Sequence, residues 1–197
     1  MSFKPMSLCL AALTGLICLT NITYASSSCT NVRFQQLSKE AGLSQSFVNE
    51  IVQDKDGFMW FGTQQGLNRY DGYDIKVFTY HPAKPNSISG NDIRALLVDS
   101  KGVLWVGTLD GGLSYYVKES GTFVNHLKDA TSNSHISINH IRSLFEDAKG
   151  NLWIGTADDG ISLSDRNNNS FQSNPGVLKT LAGLEIWDIL EDRYGYL

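Results

Sequence analysis

The chain has 197 residues, of which 42% are hydrophobic, 11% are aromatic and 18% are charged, and its formal net charge is −4. This hydrophobic content is sufficient for a packed core and excludes a wholly disordered chain. The acidic balance argues against a dedicated nucleic-acid-binding protein, because such proteins are usually basic. Three cysteines are too few for a disulfide framework, and eighteen glycines favour a β-rich fold with many tight turns.

The amino terminus has the pattern of a secretory signal. Lys4 precedes the uncharged apolar segment 8–19, and the sequence then offers a cleavage site after Ala25. We therefore predict a signal peptide over residues 1–25, followed by an extracytoplasmic mature chain. The alternatives are an uncleaved membrane anchor, for which the apolar segment is short, and a lipoprotein attached through Cys29, which lacks the usual preceding leucine.

A seven-residue motif, Gly-x-x-Trp-x-Gly-Thr, organises the rest of the chain. Its three complete copies lie at residues 57–63, 102–108 and 150–156. A fourth copy begins at Gly195, which is 45 residues after the first glycine of the third copy. This period is much longer than that of a β-solenoid, and no 3.6-residue periodicity indicates helical repeats.

Each repeat contains four short β-like segments joined by turn sequences. In the first repeat we predict strands over residues 48–53, 58–63, 67–70 and 74–80, with a two-residue hairpin turn at Asp71-Gly72. The alternation of side chains along a strand places the motif tryptophans on one face, where they can pack between adjacent sheets.

An aspartate lies three residues before the first glycine of every motif copy. These aspartates are Asp54, Asp99, Asp147 and Asp192. The spacing predicts a type I turn that is capped by the carboxylate and closed by a glycine with positive φ. The second motif glycine, before the threonine, predicts a close backbone approach or a bulge at the strand end.

Four antiparallel strands in a repeat of about 40–50 residues predict an all-β fold of the β-propeller type. We predict a partial propeller domain over residues 26–197, with blades near residues 48–80, 93–127, 141–172 and 185–197. Residues 32–37 are expected to form the outer strand of a closing blade. Because complete rings have four to eight blades, we expect an incomplete ring of three to four blades and a chain that is the front part of a longer protein.

The loops that follow the tryptophan-bearing strands form the candidate ligand-binding rim, because they vary while the flanking sequence repeats. The candidate residues are Gln64, Gln65, Leu109, Asp110, Asp158 and Asp159, together with Ala157. Loops without a binding role would vary in the same way, which leaves both interpretations open. Three tyrosines could stack on a sugar, although we favour a packing role for them in the outer strands. They are Tyr70, Tyr115 and Tyr116.

The sequence contains no evident catalytic, cofactor-binding or metal-binding set. His135 and His140 could form a zinc pair, but no further ligand motif supports one, and we interpret both as solvated loop residues. The segment 54–57 resembles the start of a calcium loop. However, lysine or tyrosine replaces Asp56 in the other repeats, and this favours a turn cap.

The motifs resemble those of the two-component regulator propeller family. The resemblance covers residues 30–197 and is carried by Gly42-Leu43-Ser44-Gln45-Ser46 with Val48, by residues 56–63 and 66–73, and by Ser87-Ile88-Ser89 with Asn91 and Ile93. The third repeat departs from the family pattern at residues 159–164. The resemblance implies the periplasmic sensor propeller of a bacterial membrane receptor, whose output would be a histidine kinase or a GGDEF diguanylate cyclase beyond this chain.

The resemblance thus implies a ligand-sensing module of signal transduction that is not itself an enzyme and holds no cofactor. We expect a periplasmic ligand, such as a carbohydrate or a protein, no nucleic-acid partner, and a homodimeric full-length receptor anchored in the inner membrane. The alternatives are a secreted propeller-type glycan-active enzyme and a scaffold that serves only protein contacts. Turnover of a polysaccharide would favour the enzyme, and thermal stability that no small molecule shifts would favour the scaffold.

Overall fold

The computed structural model describes residues 36–126, 140–165 and 170–197. In these ranges the chain forms three four-stranded antiparallel sheets and a short 3-10 helix, Gly176–Leu181. The predicted signal peptide at residues 1–25, Cys29 and residues 32–35 of the predicted closing strand lie outside the described ranges. Gln36 and Leu37 are not part of a strand.

Each sheet contains four strands that are consecutive in the chain and that pair in chain order. The first sheet contains β1 (Val48–Gln53), β2 (Met59–Thr63), β3 (Gly66–Tyr70) and β4 (Ile75–Phe78). The second contains β5 (Ile93–Val98), β6 (Leu104–Thr108), β7 (Leu113–Val117) and β8 (Thr122–His126). The third contains β9 (Ile141–Glu146), β10 (Leu152–Thr156), β11 (Ile161–Asp165) and β12 (Ser170–Ser173). The all-β prediction and the unclosed ring of repeated sheets are confirmed.

The hairpin turn between β3 and β4 differs from its prediction. Its tip is Gly72-Tyr73 and not Asp71-Gly72, because the Asp71 N–H donates to the Asp74 carbonyl at 3.3 Å. Asp71 Oδ1 also accepts hydrogen bonds from the N–H groups of Tyr73 and Asp74. The aspartate therefore caps the turn from its first position, a role in which its side chain is favoured.

The segment after the third sheet, residues 182–197, contains no strand but retains two features of the repeat. The Asp192 carbonyl accepts a hydrogen bond from the Gly195 N–H at 3.0 Å, and the Asp192 N–H donates to the Tyr196 carbonyl at 2.8 Å. The Ile186 N–H donates to the Thr156 carbonyl at 2.9 Å, which attaches this segment to β10. The fourth aspartate turn thus forms without strand pairing around it.

Buried side chains of adjacent sheets pack against each other at two places, which we call the first junction (sheets one and two) and the second junction (sheets two and three). The first junction contains Trp60, Leu67, Ile88, Ile93, Leu96, Leu104, Val106 and Phe123. The second contains Ala95, Trp105, Leu113, Ile141, Leu152, Ile154 and Phe171. Trp60 and Trp105 therefore occupy matching places in successive sheets, as the repeat predicted, and Trp153 has the same position on β10.

The second motif glycine allows each sheet to approach the next segment closely. A Cβ atom on Gly62 would lie 2.7 Å from Cγ2 of Ile93, and one on Gly155 would lie 2.8 Å from Cγ2 of Ile186. Gly107 is crowded by Ile141 in the same way. Because real Cβ atoms do not approach other carbons this closely, a side chain here would force the sheets apart. The predicted close approach is confirmed three times.

Candidate functional site

The connections between strands lie alternately at the two ends of the strands, because consecutive strands are antiparallel. We call these two sides of each sheet its turn edge and its loop edge. The turns between the first and second strands of each sheet lie at the turn edge; these are residues 54–58, 99–103 and 147–151. The loops between the second and third strands lie at the loop edge, together with the connection from β4 to β5. These loop-edge segments are residues 64–65, 109–112, 157–160 and 79–92.

At the turn edge, each aspartate holds both its turn and its tryptophan. Asp99 Oδ1 accepts hydrogen bonds from the N–H groups of Lys101 and Val103, and Asp99 Oδ2 accepts one from Trp105 Nε1 at 2.9 Å. Asp54 and Asp147 bind Trp60 and Trp153 in the same way, at 2.7 and 2.9 Å. The three turn glycines have φ values of +90°, +84° and +81°. The predicted capped turn is confirmed in all three sheets.

These contacts also decide between the turn cap and the calcium loop. Both oxygens of Asp54 accept hydrogen bonds from protein N–H groups, and Asp56 pairs with Lys118 Nζ at 2.6 Å. These carboxylates are therefore engaged by donors that a cation would have to displace. The hydrogen bond from the tryptophan indole to the aspartate was not predicted from the sequence, although the constant six-residue spacing from Asp to Trp indicates it.

Asp147 has one donor that the other aspartates lack. Burial raises the pKa of Asp147, but hydrogen bonds from Trp153 Nε1, the Asn151 side chain and backbone N–H groups outweigh it, and the net pKa is lowered. Asn151 Nδ2 donates to Asp147 Oδ2 at 2.7 Å. Hydrogen bonds to a carboxylate favour its ionised form, so this turn is built around a charged aspartate.

At the loop edge, a buried threonine at the end of each second strand holds the loop that follows. The Thr63, Thr108 and Thr156 hydroxyls donate to the carbonyls of Gly66, Gly112 and Gly160 at 2.9–3.0 Å. Each hydroxyl also accepts a hydrogen bond from a backbone N–H inside its loop. The backbone is thus fixed by residues of the repeat, and the side chains between them are free to differ.

The predicted rim residues all lie in these three loops, but the structure does not bring them into one site. Gln64, Gln65, Asp110 and Asp158 are exposed, whereas Leu109, Ala157 and Asp159 are half-buried. The half-buried group is held by its backbone, since the N–H groups of Leu109 and Ala157 donate to the carbonyls of Asp92 and His140. Of the candidates, Asp110 lines a sizeable cavity.

This loop-edge cavity has a volume of about 490 Å³ and lies between the β4–β5 connection and the Asp110 loop. Its lining includes Tyr80, His81, Asn91, Asp110 and Asn125. The Tyr80 side chain is 47% exposed, and Asn91 Oδ1 accepts a hydrogen bond from the Tyr80 N–H at 2.8 Å. An aromatic ring beside carboxylate, amide and imidazole groups can hold a polar organic ligand.

The sequence did not point to the β4–β5 connection, which supplies most of this cavity. Its polar sequence is the longest of the loop-edge segments but lacks a recognisable binding motif, and its proximity to Asp110 is a product of the sheet topology. In the described ranges, no group of three histidine, cysteine, aspartate or glutamate residues could hold a metal ion. His135 lies outside these ranges, and His140 Nδ1 is exposed at 3.7 Å from Asp158 Oδ2.

The histidine and tyrosines of the second sheet have packing roles. His126 is 5% exposed and stacks with Trp105 and Tyr115, with ring centroids 6.2 and 5.8 Å apart. Tyr116 contacts Trp60 edge-on, with centroids 5.0 Å apart. The favoured packing interpretation is therefore confirmed for Tyr115 and Tyr116, which fill the junctions and not the loop edge.

The sequence profile of the two-component regulator propeller family matches three segments of the chain, residues 42–65, 87–110 and 135–158. Each segment ends in the loop that follows a motif threonine. The chain is also 43% identical over 60 residues to histidine kinase P4 of Formosa agariphila, a match that covers 30% of this chain and 4% of that protein.

Two solved structures from B. thetaiotaomicron have a similar fold and 28% sequence identity to the chain. The extracellular domain of a hybrid two-component system matches with a TM-score of 0.70 over 78% of this chain and 22% of its own. The extracellular domain of a one-component system matches with a TM-score of 0.61 over 75% of this chain and 21% of its own. The chain thus spans about a fifth of these domains. No helix in the described part of the chain is long and apolar enough to cross a membrane.

Proposed function

We propose that the chain is an extracytoplasmic, ligand-sensing part of a membrane-bound signalling receptor, because three of its segments match the two-component regulator propeller profile. The observation that carries the proposal is the likeness, in fold and in sequence, to the extracellular domain of a hybrid two-component system. The secretory pattern at residues 1–25 supports export. The receptor is a homodimer anchored in the inner membrane, with its histidine kinase or diguanylate cyclase output beyond this chain.

The loop-edge cavity is the ligand site in this proposal. Its frame is rigid, because the motif threonines and the hydrogen bonds of the β4–β5 connection fix the backbone. Its walls come from both sides of the first junction, since Tyr80 follows the last strand of the first sheet and Asp110 lies in the loop between β6 and β7 of the second. A ligand that binds both walls therefore bridges the first two sheets and stabilises the arrangement that they have at this junction.

The ligand is a polar molecule, such as a carbohydrate, or an extended segment of a protein. Tyr80 offers a ring face for stacking, and Asp110 and Asn91 offer an acceptor and an amide for hydroxyl groups. A polar ligand fits this site better than a lipid, because charged and amide groups surround the exposed Tyr80 ring.

Export is tested by fusing alkaline phosphatase, which is active only outside the bacterial cytoplasm, to residue 197. We expect activity from the fusion to residues 1–197 and none from a matched fusion that begins at residue 26. Equal activity of the two fusions, or none from the first, would contradict the proposed location.

Ligand sensing is tested by thermal unfolding of the chain against a collection of oligosaccharides and peptides. A ligand that binds the native state raises the melting temperature, and we expect Asp110→Asn to abolish the rise. Asp158→Asn is the matched control, because Asp158 lies at the same edge of the third sheet but outside the cavity. If no compound raises the melting temperature the scaffold alternative is favoured, and if an oligosaccharide is cleaved the enzyme alternative is favoured.

A further inference from the structure

A second cavity, of about 580 Å³, lies at the outer strands of the first two sheets. Its walls are β4, the start of β8 and the loop 81–87, which separates it from the loop-edge cavity. Its residues with charged or aromatic side chains are Lys76, Phe78, His81, Lys84 and Phe123. None of the described residues that line it is an aspartate or glutamate. The loop-edge cavity shares His81 and Lys84 with it but also contains Asp110.

The loop 81–87 is held in one conformation by its own hydrogen bonds. The Lys84 N–H donates to the His81 carbonyl, and the Ser87 N–H donates to the Lys84 carbonyl, both at 2.9 Å. The Ser87 hydroxyl accepts a hydrogen bond from the His81 N–H at 3.0 Å and donates one to the His81 carbonyl at 3.2 Å. Two prolines in seven residues restrict the backbone further.

The same loop is fastened to the outer strand of the second sheet. The Phe123 N–H donates to the Asn86 carbonyl at 2.9 Å, and Asn125 Nδ2 donates to the carbonyls of Pro85 and Ser87 at 3.2 and 2.9 Å. The cavity wall is therefore preorganised, and a ligand would not have to pay the entropic cost of ordering it.

The charged groups of this cavity are cationic. Lys76 Nζ lies 4.9 Å from the centre of the Phe78 ring, and Lys84 is exposed at the opposite wall. Neither lysine forms an ion pair with any residue that the structure describes. His81 Nδ1 accepts a hydrogen bond from the Ala83 N–H at 3.2 Å, which leaves its Nε2 as the N–H donor.

The floor of the cavity is apolar. Phe123 is 3% exposed and Ile88 is fully buried, and Phe78 packs edge-on against Phe123 with ring centroids 5.4 Å apart. An apolar floor below two lysines matches a ligand with an apolar or ring-shaped body and an anionic group directed towards solvent.

We propose that this second cavity binds a small organic anion, in which a carboxylate, sulfate or phosphate group is attached to an apolar or ring-shaped body. Lys76 and Lys84 bind the anionic group from the two walls, His81 Nε2 donates a hydrogen bond to it, and the body lies over Phe78 and Phe123. The inference concerns binding by this chain and does not depend on the signalling role.

The test is a titration of the ¹⁵N-labelled full chain, followed by NMR, with phenyl phosphate, benzoate, inorganic phosphate and benzyl alcohol. We expect saturable shifts of the Lys84, Thr122 and Phe123 amides with phenyl phosphate and benzoate. Binding should be at least tenfold weaker with benzyl alcohol, which lacks the charge, and with inorganic phosphate, which lacks the ring. Affinity should fall as sodium chloride rises, because salt screens exposed charges.

Paired variants identify the lysines responsible. Lys76→Ala/Lys84→Ala should weaken phenyl phosphate binding at least tenfold, whereas Lys101→Ala/Lys149→Ala removes two exposed lysines from the turn edge and should leave it unchanged. Far-UV circular dichroism of all variants checks that the sheets are retained. The proposal is overturned if benzyl alcohol binds as well as phenyl phosphate, if both variants weaken binding equally, or if no anion shifts these amides.

Discussion

The two junctions between sheets share one framework and differ in the contacts added to it. Both contain a tryptophan whose Nε1 donates to a turn aspartate, and a motif glycine against which the isoleucine of the next sheet packs. The shared contacts are buried and come from the repeated motif. They fix the spacing and the angle of the sheets, because close-packed interiors tolerate little change in volume.

The junctions differ in their aromatic residues and in the polar contacts at the turn edge. At the first junction, Tyr116 packs against Trp60 and Phe78, Arg69 lies 4.5 Å from the centre of the Phe58 ring, and Lys118 pairs with Asp56. Lys55 Nζ donates to the Ser100 carbonyl there.

At the second junction, His126 packs with Trp105 and Phe171. Glu146 replaces the lysine contacts at the turn edge, since its carboxylate accepts hydrogen bonds from the Ser100 N–H and hydroxyl at 2.5 and 2.9 Å. The repeat therefore specifies the buried geometry, whereas the exposed contacts differ from one junction to the next.

The largest expected effect comes from removing Asp99, the buried turn aspartate that binds Trp105 of the second junction. Asp99 is 2% exposed, and Asp99→Ala removes the acceptor of three hydrogen bonds, including that of the buried Trp105 indole. At about 1 kcal/mol for each bond, we expect the free energy of unfolding to fall by about 3 kcal/mol. Urea denaturation followed by tryptophan fluorescence measures the change.

Asp192→Ala is the matched control for this prediction. Asp192 caps the fourth turn by accepting hydrogen bonds from the Tyr194 and Tyr196 N–H groups, but it is exposed and binds no indole in this chain. Asp192→Ala should lower the free energy of unfolding by less than Asp99→Ala does, because it removes two exposed hydrogen bonds and no buried indole bond. Equal losses would mean that the backbone cap, and not the indole bond, carries the stability of the turn.

The next largest effect concerns the glycine–isoleucine contact. Gly107→Ala places a methyl group against Ile141 and 3.3 Å from the Ala95 Cβ, and overpacking of this kind costs about 2 kcal/mol. Ile141→Ala removes the crowded Cγ2 atom. The double variant should therefore be at least about 0.5 kcal/mol more stable than the sum of the two single changes predicts. Strictly additive losses in urea denaturation would show that the glycine is not required by its neighbour.

The exposed contacts at the turn edge should have smaller effects that differ between the junctions. Glu146→Ala removes two hydrogen bonds to Ser100 and should cost about 1 kcal/mol. Lys118→Ala at the first junction should cause no measurable loss, although the hydrogen bond with Asp56 raises the pKa of Lys118, because exposed ion pairs are screened by water and salt. Melting temperatures at low and high sodium chloride test both, and a larger loss for Lys118→Ala would reverse the ranking.

Much of the fold could be predicted because its determinants are local. The capped turn needs an aspartate and a glycine three residues apart, and the strand pattern follows from alternation within a few residues. The hairpin turn predicted at Asp71-Gly72 also differs for a local reason. The Asp71 side chain accepts hydrogen bonds from the N–H groups of Tyr73 and Asp74, and this moves the tip of the turn by one residue. The pairing of Trp105 with Asp99 could also have been inferred from its constant spacing.

The candidate site could be predicted only in part because its walls are distant in sequence. The loops after the threonines were identified, and Asp110 does line a cavity. Tyr80 and Asn91 line the same cavity because they lie in the β4–β5 connection. The course of this connection depends on hydrogen bonds to Pro85 and Ser87 from Asn125, which follows them by 40 and 38 residues. No short sequence motif indicates a contact between residues so far apart, and the two cavities could therefore not be predicted from the sequence.

The smallest expected effect distinguishes the third turn from the other two. Asn151 donates to Asp147, whereas Phe58 and Val103 occupy the same position in the first and second sheets. Asn151→Val therefore converts the third turn to the form of the second. We expect it to raise the lowered pKa of Asp147 towards its usual value of 3.8, because one hydrogen bond to the ionised form is lost.

The pH dependence of stability follows from the direction of this shift. Since the pKa of Asp147 is lower in the folded than in the unfolded chain, its ionised form stabilises the fold at pH values above about 3.8, and this contribution is lost as the pH falls through the folded pKa. Asn151→Val should reduce the loss of stability between pH 5 and pH 3 relative to the unsubstituted chain.

NMR titration of the Asp147 carboxyl carbon measures the pKa directly. Lys149→Ala is the control, because Lys149 bonds to Asp147 through its backbone N–H, which the substitution retains. An unchanged pKa in Asn151→Val would show that the indole and backbone donors alone hold this carboxylate in its ionised form.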